Sequence, residues 1–93
     1  MQINQQISRS YKAFSSAEGS QHIASEYAIK KLQELVAKFH IQNVLEVGLG
    51  IGCIAGSLLK LNQHLQYFGT EANEFCLNAL PQHLKEEYKR LQI

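Results

Sequence analysis

Val44-Leu45-Glu46-Val47-Gly48-Leu49-Gly50-Ile51-Gly52 is a short apolar run with an acid near its end, followed by three glycines at alternate positions. The residues Asn43 to Val47 are rich in Val and Leu and show no apolar–polar alternation. That pattern predicts a strand buried on both faces, as in a parallel sheet. After the glycines, Cys53 to Leu61 reads as a helix with Ile54, Leu58, Leu59 and Leu61 on its apolar side. A strand that turns through glycines into a helix leaves bare backbone beside a ligand. It also aims the unpaired N–H groups of the helix at the same place, where they favour a negatively charged group.

Working outward, Leu65 to Gly69 predicts a second strand with Thr70 and Glu71 at its end. Asn73 is placed to cap a third helix through Phe75, Leu77 and Leu80. Pro81 either kinks that helix or starts a new one, and Leu84, Tyr88 and Leu91 continue a helical face to the C-terminus. On the N-terminal side, a helix is predicted from about Gln21 to near His40. Its broad apolar face carries Ile23, Tyr27, Leu32, Leu35, Val36 and Phe39, with Ser20 or Ser25 as its cap. Residues 1–20 are rich in Gln and Ser and form an N-terminal arm, either mobile or with a short helix around Tyr11 to Phe14. Strands alternating with helices imply right-handed crossovers and a parallel sheet.

The chain has 93 residues, enough for one small domain. Apolar residues make up 45% and charged residues 18%, a globular rather than a disordered composition. The net charge is +1 and no basic block is present, which argues against nucleic acid and anionic membranes as partners. Cys53 and Cys76 lack metal-ligand spacing and read as reduced apolar fillers. His22, His40, His64 and His83 share no ligand spacing either and read as surface residues. Met1-Gln2-Ile3-Asn4-Gln5-Gln6 has no apolar core of a secretory signal, and no apolar run approaches membrane-spanning length, so a cytoplasmic protein is expected.

In open parallel sheets, ligands bind outside the carboxyl ends of the strands. The loop from Gly48 to Gly52 lies at that edge. Glu71, 19 positions after Gly52, ends the next strand, where a carboxylate can accept hydrogen bonds from a ribose diol. A glycine loop with such an acid is a nucleoside-binding arrangement.

The same residues resemble the class I S-adenosylmethionine-dependent methyltransferases. Glu46, two positions before Gly48, with Gly50 and Gly52, resembles the first motif of that family. Phe68-Gly69-Thr70-Glu71 followed by a helix resembles its second motif, where the acid holds the ribose. The resemblance spans about Gln21 to Leu80. It implies a partial Rossmann-like three-layer α/β fold, in the order helix-strand-helix-strand-helix, with residues 21–93 as the N-terminal half of the cofactor-binding domain. It implies S-adenosylmethionine and S-adenosylhomocysteine as ligands of Glu46, Gly48, Gly50, Gly52 and Glu71. The helix start beyond Gly52 suits the ligand carboxylate, and Glu46 suits its positive end. Several strands of the whole family fold would remain to follow, so no catalytic or acceptor-binding residue is assigned, and the chain alone is expected to be inactive. Absent basic patches lean toward a small-molecule acceptor.

Other readings stay open. Gly50-Ile51-Gly52-Cys53-Ile54-Ala55 fits the dinucleotide pattern G-x-G-x-x-A, which would make the chain a fragment of an NAD(P)-dependent oxidoreductase. Against it, Glu46 beside a pyrophosphate would cost on the order of 1–4 kcal/mol per charge pair. The half-fold is alternatively a non-catalytic dimerising module, since strand exchange or edge-to-edge pairing would bury exposed strand edges. Glu46 also reads as a polar strand end capping a nearby loop, and Glu71 as a helix N-terminal acid stabilised by the dipole. Tyr11 and Phe14 read as a substrate lid or as anchors of the arm. Lys85-Glu86-Glu87-Tyr88-Lys89-Arg90 reads as a solvated helix face.

Overall fold

A computed structural model describes residues 2–93, apart from the side chain of His22. Met1, the first residue of the expected arm, therefore lies outside the described residues, as does the surface assignment of the His22 side chain. The chain runs through α1 (Ile3–Ser15), α2 (Glu26–Lys38), β1 (Asn43–Val47), α3 (Cys53–Leu61), β2 (Gln66–Thr70), α4 (Glu74–Leu84) and β3 (Leu91–Gln92). Short 3-10 segments occupy Ser20–His22 and Lys85–Arg90. The three strands are parallel in the order β1-β2-β3, so β2 is central. The α/β class, the parallel sheet and the flanking helices match the partial Rossmann-like fold expected.

The local signals placed several boundaries closely. Ser25 caps α2, its hydroxyl accepting the Ala28 N–H at 3.1 Å. Asn73 caps α4 in the same way through the Cys76 N–H at 3.0 Å. Pro81 lies inside α4, which continues to Leu84 and stops where Lys85 turns to φ +55° and donates its N–H to the Pro81 carbonyl. In α3, Gly56 meets Phe14 of α1 closely enough that a methyl group would stand 3.3 Å from the ring.

The N-terminal segment is more structured than its weak periodicity suggested. Helix α1 extends over Ile3–Ser15 and buries Ile7 and Phe14 against α2 and α3. Burying each side chain of that size contributes about 1.5–3 kcal/mol. These contacts make Phe14 an anchor of the helix.

Three expectations are corrected. Helix α2 begins at Glu26, and its buried residues are Ile29, Gln33 and Val36, while Tyr27, Leu35 and Phe39 are exposed. The inward stripe is set by the contacts with α1 and α3, and Gln33 is admitted because its side-chain carbonyl accepts from Asn62 Nδ2 at 2.7 Å. Strand β1 is not buried on both faces: Leu45 is 68% exposed and Val47 81% exposed, with Val44 and Glu46 facing inward. The described helices cover one side of β1, so of the three layers these residues furnish the sheet and one helical layer.

The third correction concerns the C-terminus. The helical face predicted through Tyr88 and Leu91 gives way to β3, with Leu91 in register beside Tyr67 and Gln92 beside Phe68. Arg90 turns inward in place of a solvated face. Its guanidinium donates to the carbonyls of Leu59 at 2.7 Å, Asn62 at 2.7 Å and Leu65 at 3.0 Å. It thereby satisfies open carbonyls at the end of α3 and in the approach to β2.

Candidate functional site

The loop after β1 is joined to the end of β2. Gly48 donates its N–H to the Thr70 carbonyl at 3.0 Å and to Thr70 Oγ1 at 3.2 Å, and Leu49 donates to the same carbonyl at 2.8 Å. Gly50 donates its N–H to Glu71 Oε1 at 2.7 Å, and Asn73 donates its N–H to Glu71 Oε2 at 2.8 Å. Glu71 therefore bridges the glycine loop and the start of α4. Those N–H donors, Asn73 first, hold its carboxyl below the usual carboxylate range. A carboxylate offers about four acceptor sites, so two N–H bonds leave capacity for ligand hydroxyls.

The glycines divide by role. Gly48, Gly50 and Gly52 have φ of +84°, +60° and +96°, the left-handed region that glycine enters without penalty. A Cβ at Gly48 or Gly50 would meet nothing within 4 Å, so their bare backbone borders open space. A Cβ at Gly52 would run into Leu84 and Leu80. Gly52 thus starts α3 where the helix meets the core, with no side chain capping its first N–H groups.

These residues border a cavity of about 620 Å³ at the carboxyl ends of β1 and β2. Its walls include Glu46, Gly48, Gly50 and Glu71, together with Ile23 and Ala24 from the segment before α2. Four of the five residues singled out from the sequence come together there. Gly52 is not among those lining it.

Glu46 faces the covered side of β1, and its Oε1 accepts a hydrogen bond from the Tyr67 hydroxyl at 2.6 Å. Burial pushes the Glu46 carboxyl up to about 7; the Tyr67 hydrogen bond opposes that rise and the negative charge of Glu71 adds to it. Burial, with the Glu46 charge, pushes the Cys53 thiol up to about 11. Burial, with the same carboxylate, also raises Tyr67 above the usual tyrosine range. The described residues that line the cavity include Glu46 and Glu71 but no lysine, arginine or histidine. The described residues bring together no group of three His, Cys, Asp or Glu side chains able to hold a metal ion.

Tyr67 is the residue that the sequence did not bring out. Its signal is a tyrosine inside a strand, because a buried hydroxyl needs a partner. The identity of that partner depends on strand register. Tyr67 lies opposite Val44, two residues back from Glu46 on the same face.

A solved structure from Staphylococcus aureus, described as a "putative caffeoyl-CoA O-methyltransferase", superposes on the chain with a TM-score of 0.77 at 18% sequence identity. The match covers 94% of this chain and 42% of that one, so the chain spans less than half the length of the neighbour. At this identity the likeness is one of fold alone, a partial Rossmann-like α/β arrangement. No protein-family model and no curated protein matches the sequence.

Proposed function

We propose that this chain is the cofactor-binding portion of an S-adenosylmethionine-dependent methyltransferase. The observation that carries the reading is the charge of the cavity, which has two carboxylates and no cationic side chain among the described lining residues. Such a wall suits a ligand that brings its own positive charge and rejects one built on phosphates. S-adenosylmethionine has an ammonium, a sulfonium and a single carboxylate. Bare backbone at Gly48 and Gly50 gives it room to lie against the loop. The pyrophosphate of a dinucleotide would face Glu46 with no cationic side chain from the described wall residues to balance it.

In this reading Glu71 holds the ribose diol, Glu46 faces the ammonium, and the uncapped start of α3 receives the ligand carboxylate. The bound cofactor supplies an electrophilic methyl group. That methyl group would pass to a nucleophilic acceptor atom, which would give up a proton as the neutral thioether S-adenosylhomocysteine is released. Rate acceleration rests on alignment and exclusion of water. The acceptor is proposed to be a small molecule. The chain by itself is expected to bind cofactor weakly and turn over nothing. Further proposals are a cytoplasmic location and burial of the exposed strand edges by a second copy. No described helix is long and apolar enough to cross a membrane.

Isothermal titration with S-adenosylhomocysteine and, separately, NADH tests the reading. Heat with the former and none with the latter is expected. Binding of NADH alone would transfer the site to the oxidoreductase class, and binding of neither would favour a non-catalytic module.

A further inference from the structure

We infer that Tyr67 is a positioning residue for cation recognition: its buried hydroxyl holds the Glu46 carboxyl at the cavity wall, where the pair accepts a ligand ammonium. The inference rests on the proposed cofactor reading for the identity of the ligand, and on geometry for the role of Tyr67. Tyr67 is 0% exposed, so it does not meet the ligand itself. Its hydroxyl donates to Glu46 Oε1 at 2.6 Å, a short bond, and Glu46 itself lines the cavity.

The surroundings make this pair the centre of charge recognition. Among the described residues, the titratable groups that face Glu46 are Tyr67 on β2, Cys53 at the start of α3 and Glu71 after β2. Cys76 on α4 adjoins Glu71 and also lines the cavity. Before α2, the described wall is Ile23 and Ala24, which carry no charge. Among the described residues, every ionisable neighbour is thus neutral or negative at pH 7, and a ligand ammonium would bring positive charge to Glu46 that no described side chain supplies. Burial favours the neutral carboxyl when the cation is absent, and the cation favours the carboxylate. Tyr67 tips the balance toward the carboxylate, because its O–H donates more strongly to a charged acceptor.

Two measurements on the full chain test this. The first is a carbon-13 carboxyl NMR titration of Glu46 without ligand, in the unsubstituted protein and in Tyr67→Phe. That substitution removes one oxygen and keeps the ring that fills the core. The Glu46 titration should move up by about one pH unit. The second is calorimetric titration with S-adenosylhomocysteine from pH 5.5 to 8.5, in two buffers of different ionisation enthalpy. Affinity should rise by up to about tenfold per pH unit below the Glu46 midpoint, with about one proton released, then level off. Tyr67→Phe should shift that curve upward, and Glu46→Gln should flatten it.

An unmoved Glu46 titration in Tyr67→Phe would overturn the positioning role, and binding without proton release would overturn the coupling. If S-adenosylhomocysteine fails to bind at every pH, the cofactor reading fails, and the ligand-free titration still decides the role of Tyr67. If Tyr67→Phe does not fold, proton counts for the unsubstituted protein and Glu46→Gln decide the coupling: a difference supports it and equal counts overturn it.

Discussion

Glu71 Oε1 accepts the backbone N–H of Gly50 at 2.7 Å, across 21 residues of sequence. One carboxylate thereby holds the glycine loop of β1 against the end of β2. Replacing it should affect ligand binding more than folding, because Glu71 lies at the rim of the fold and outside the core cluster. Glu71→Ala is expected to lower S-adenosylhomocysteine affinity by about tenfold or more, the scale of a lost hydrogen bond to a charged group. Glu71→Gln, which keeps one acceptor oxygen, should fall between. Calorimetry with parallel thermal melts checks this; equal affinities in all three proteins would leave Glu71 as a loop staple only.

Stability should fall with pH because of Glu46. Its carboxyl titrates near 4.5 in the unfolded chain and at about 7 when folded. Between those values the folded state retains a proton that the unfolded state has lost, so stability decreases as pH rises and then levels above about 7. The full effect is roughly 3 kcal/mol or less. Glu46→Gln removes this slope and retains an acceptor for Tyr67. Urea denaturation at pH 5 and pH 8 should show the variant gaining on the unsubstituted protein at the higher pH. A constant difference between the two would contradict the burial of Glu46.

Gly52→Ala and Gly48→Ala should differ, although both glycines have positive φ. At Gly48 the methyl group enters open space, so the effect is backbone strain of about 1–2 kcal/mol. At Gly52 the methyl group also strikes Leu84 and Leu80 in the core, and overpacking adds about 1–3 kcal/mol. Denaturant titration of both variants checks the order, and equal losses would contradict the packing of α4 over the start of α3.

Arg90→Ala should destabilise the chain by about 2–3 kcal/mol, because three backbone carbonyls lose a charged donor. Arg90→Lys should recover only part of this, since one ammonium cannot reproduce the planar fork. Hydrogen exchange should localise the effect to the end of α3 and to the β2–β3 pair. Protection unchanged there would show that β3 holds without Arg90.

Much of the fold was legible in local patterns. The bounds of β1 and α3, the caps at Ser25 and Asn73, and the glycine loop all depend on residues within a few positions of one another. Glu71 was legible as well, because strand–helix–strand spacing returns the second acid to the first loop. Long-range pairing decided the rest. Helix α1 folds over Ile3–Ser15 because Ile7 and Phe14 find α2 and α3, and β3 forms because two residues find an open edge of β2, which leaves no periodicity to read. Leu45 and Val47 look like core residues but lie bare, since exposure depends on which side the helices cover. Glu46 and Tyr67 are 21 positions apart, and only the register of β1 on β2 brings their oxygens to 2.6 Å. The sequence by itself determined the elements and the loop, because dihedral preference, capping and apolar period are local. The tertiary structure decided how Glu46 is held and which proton it keeps, because burial and cross-strand contacts arise only once distant segments meet.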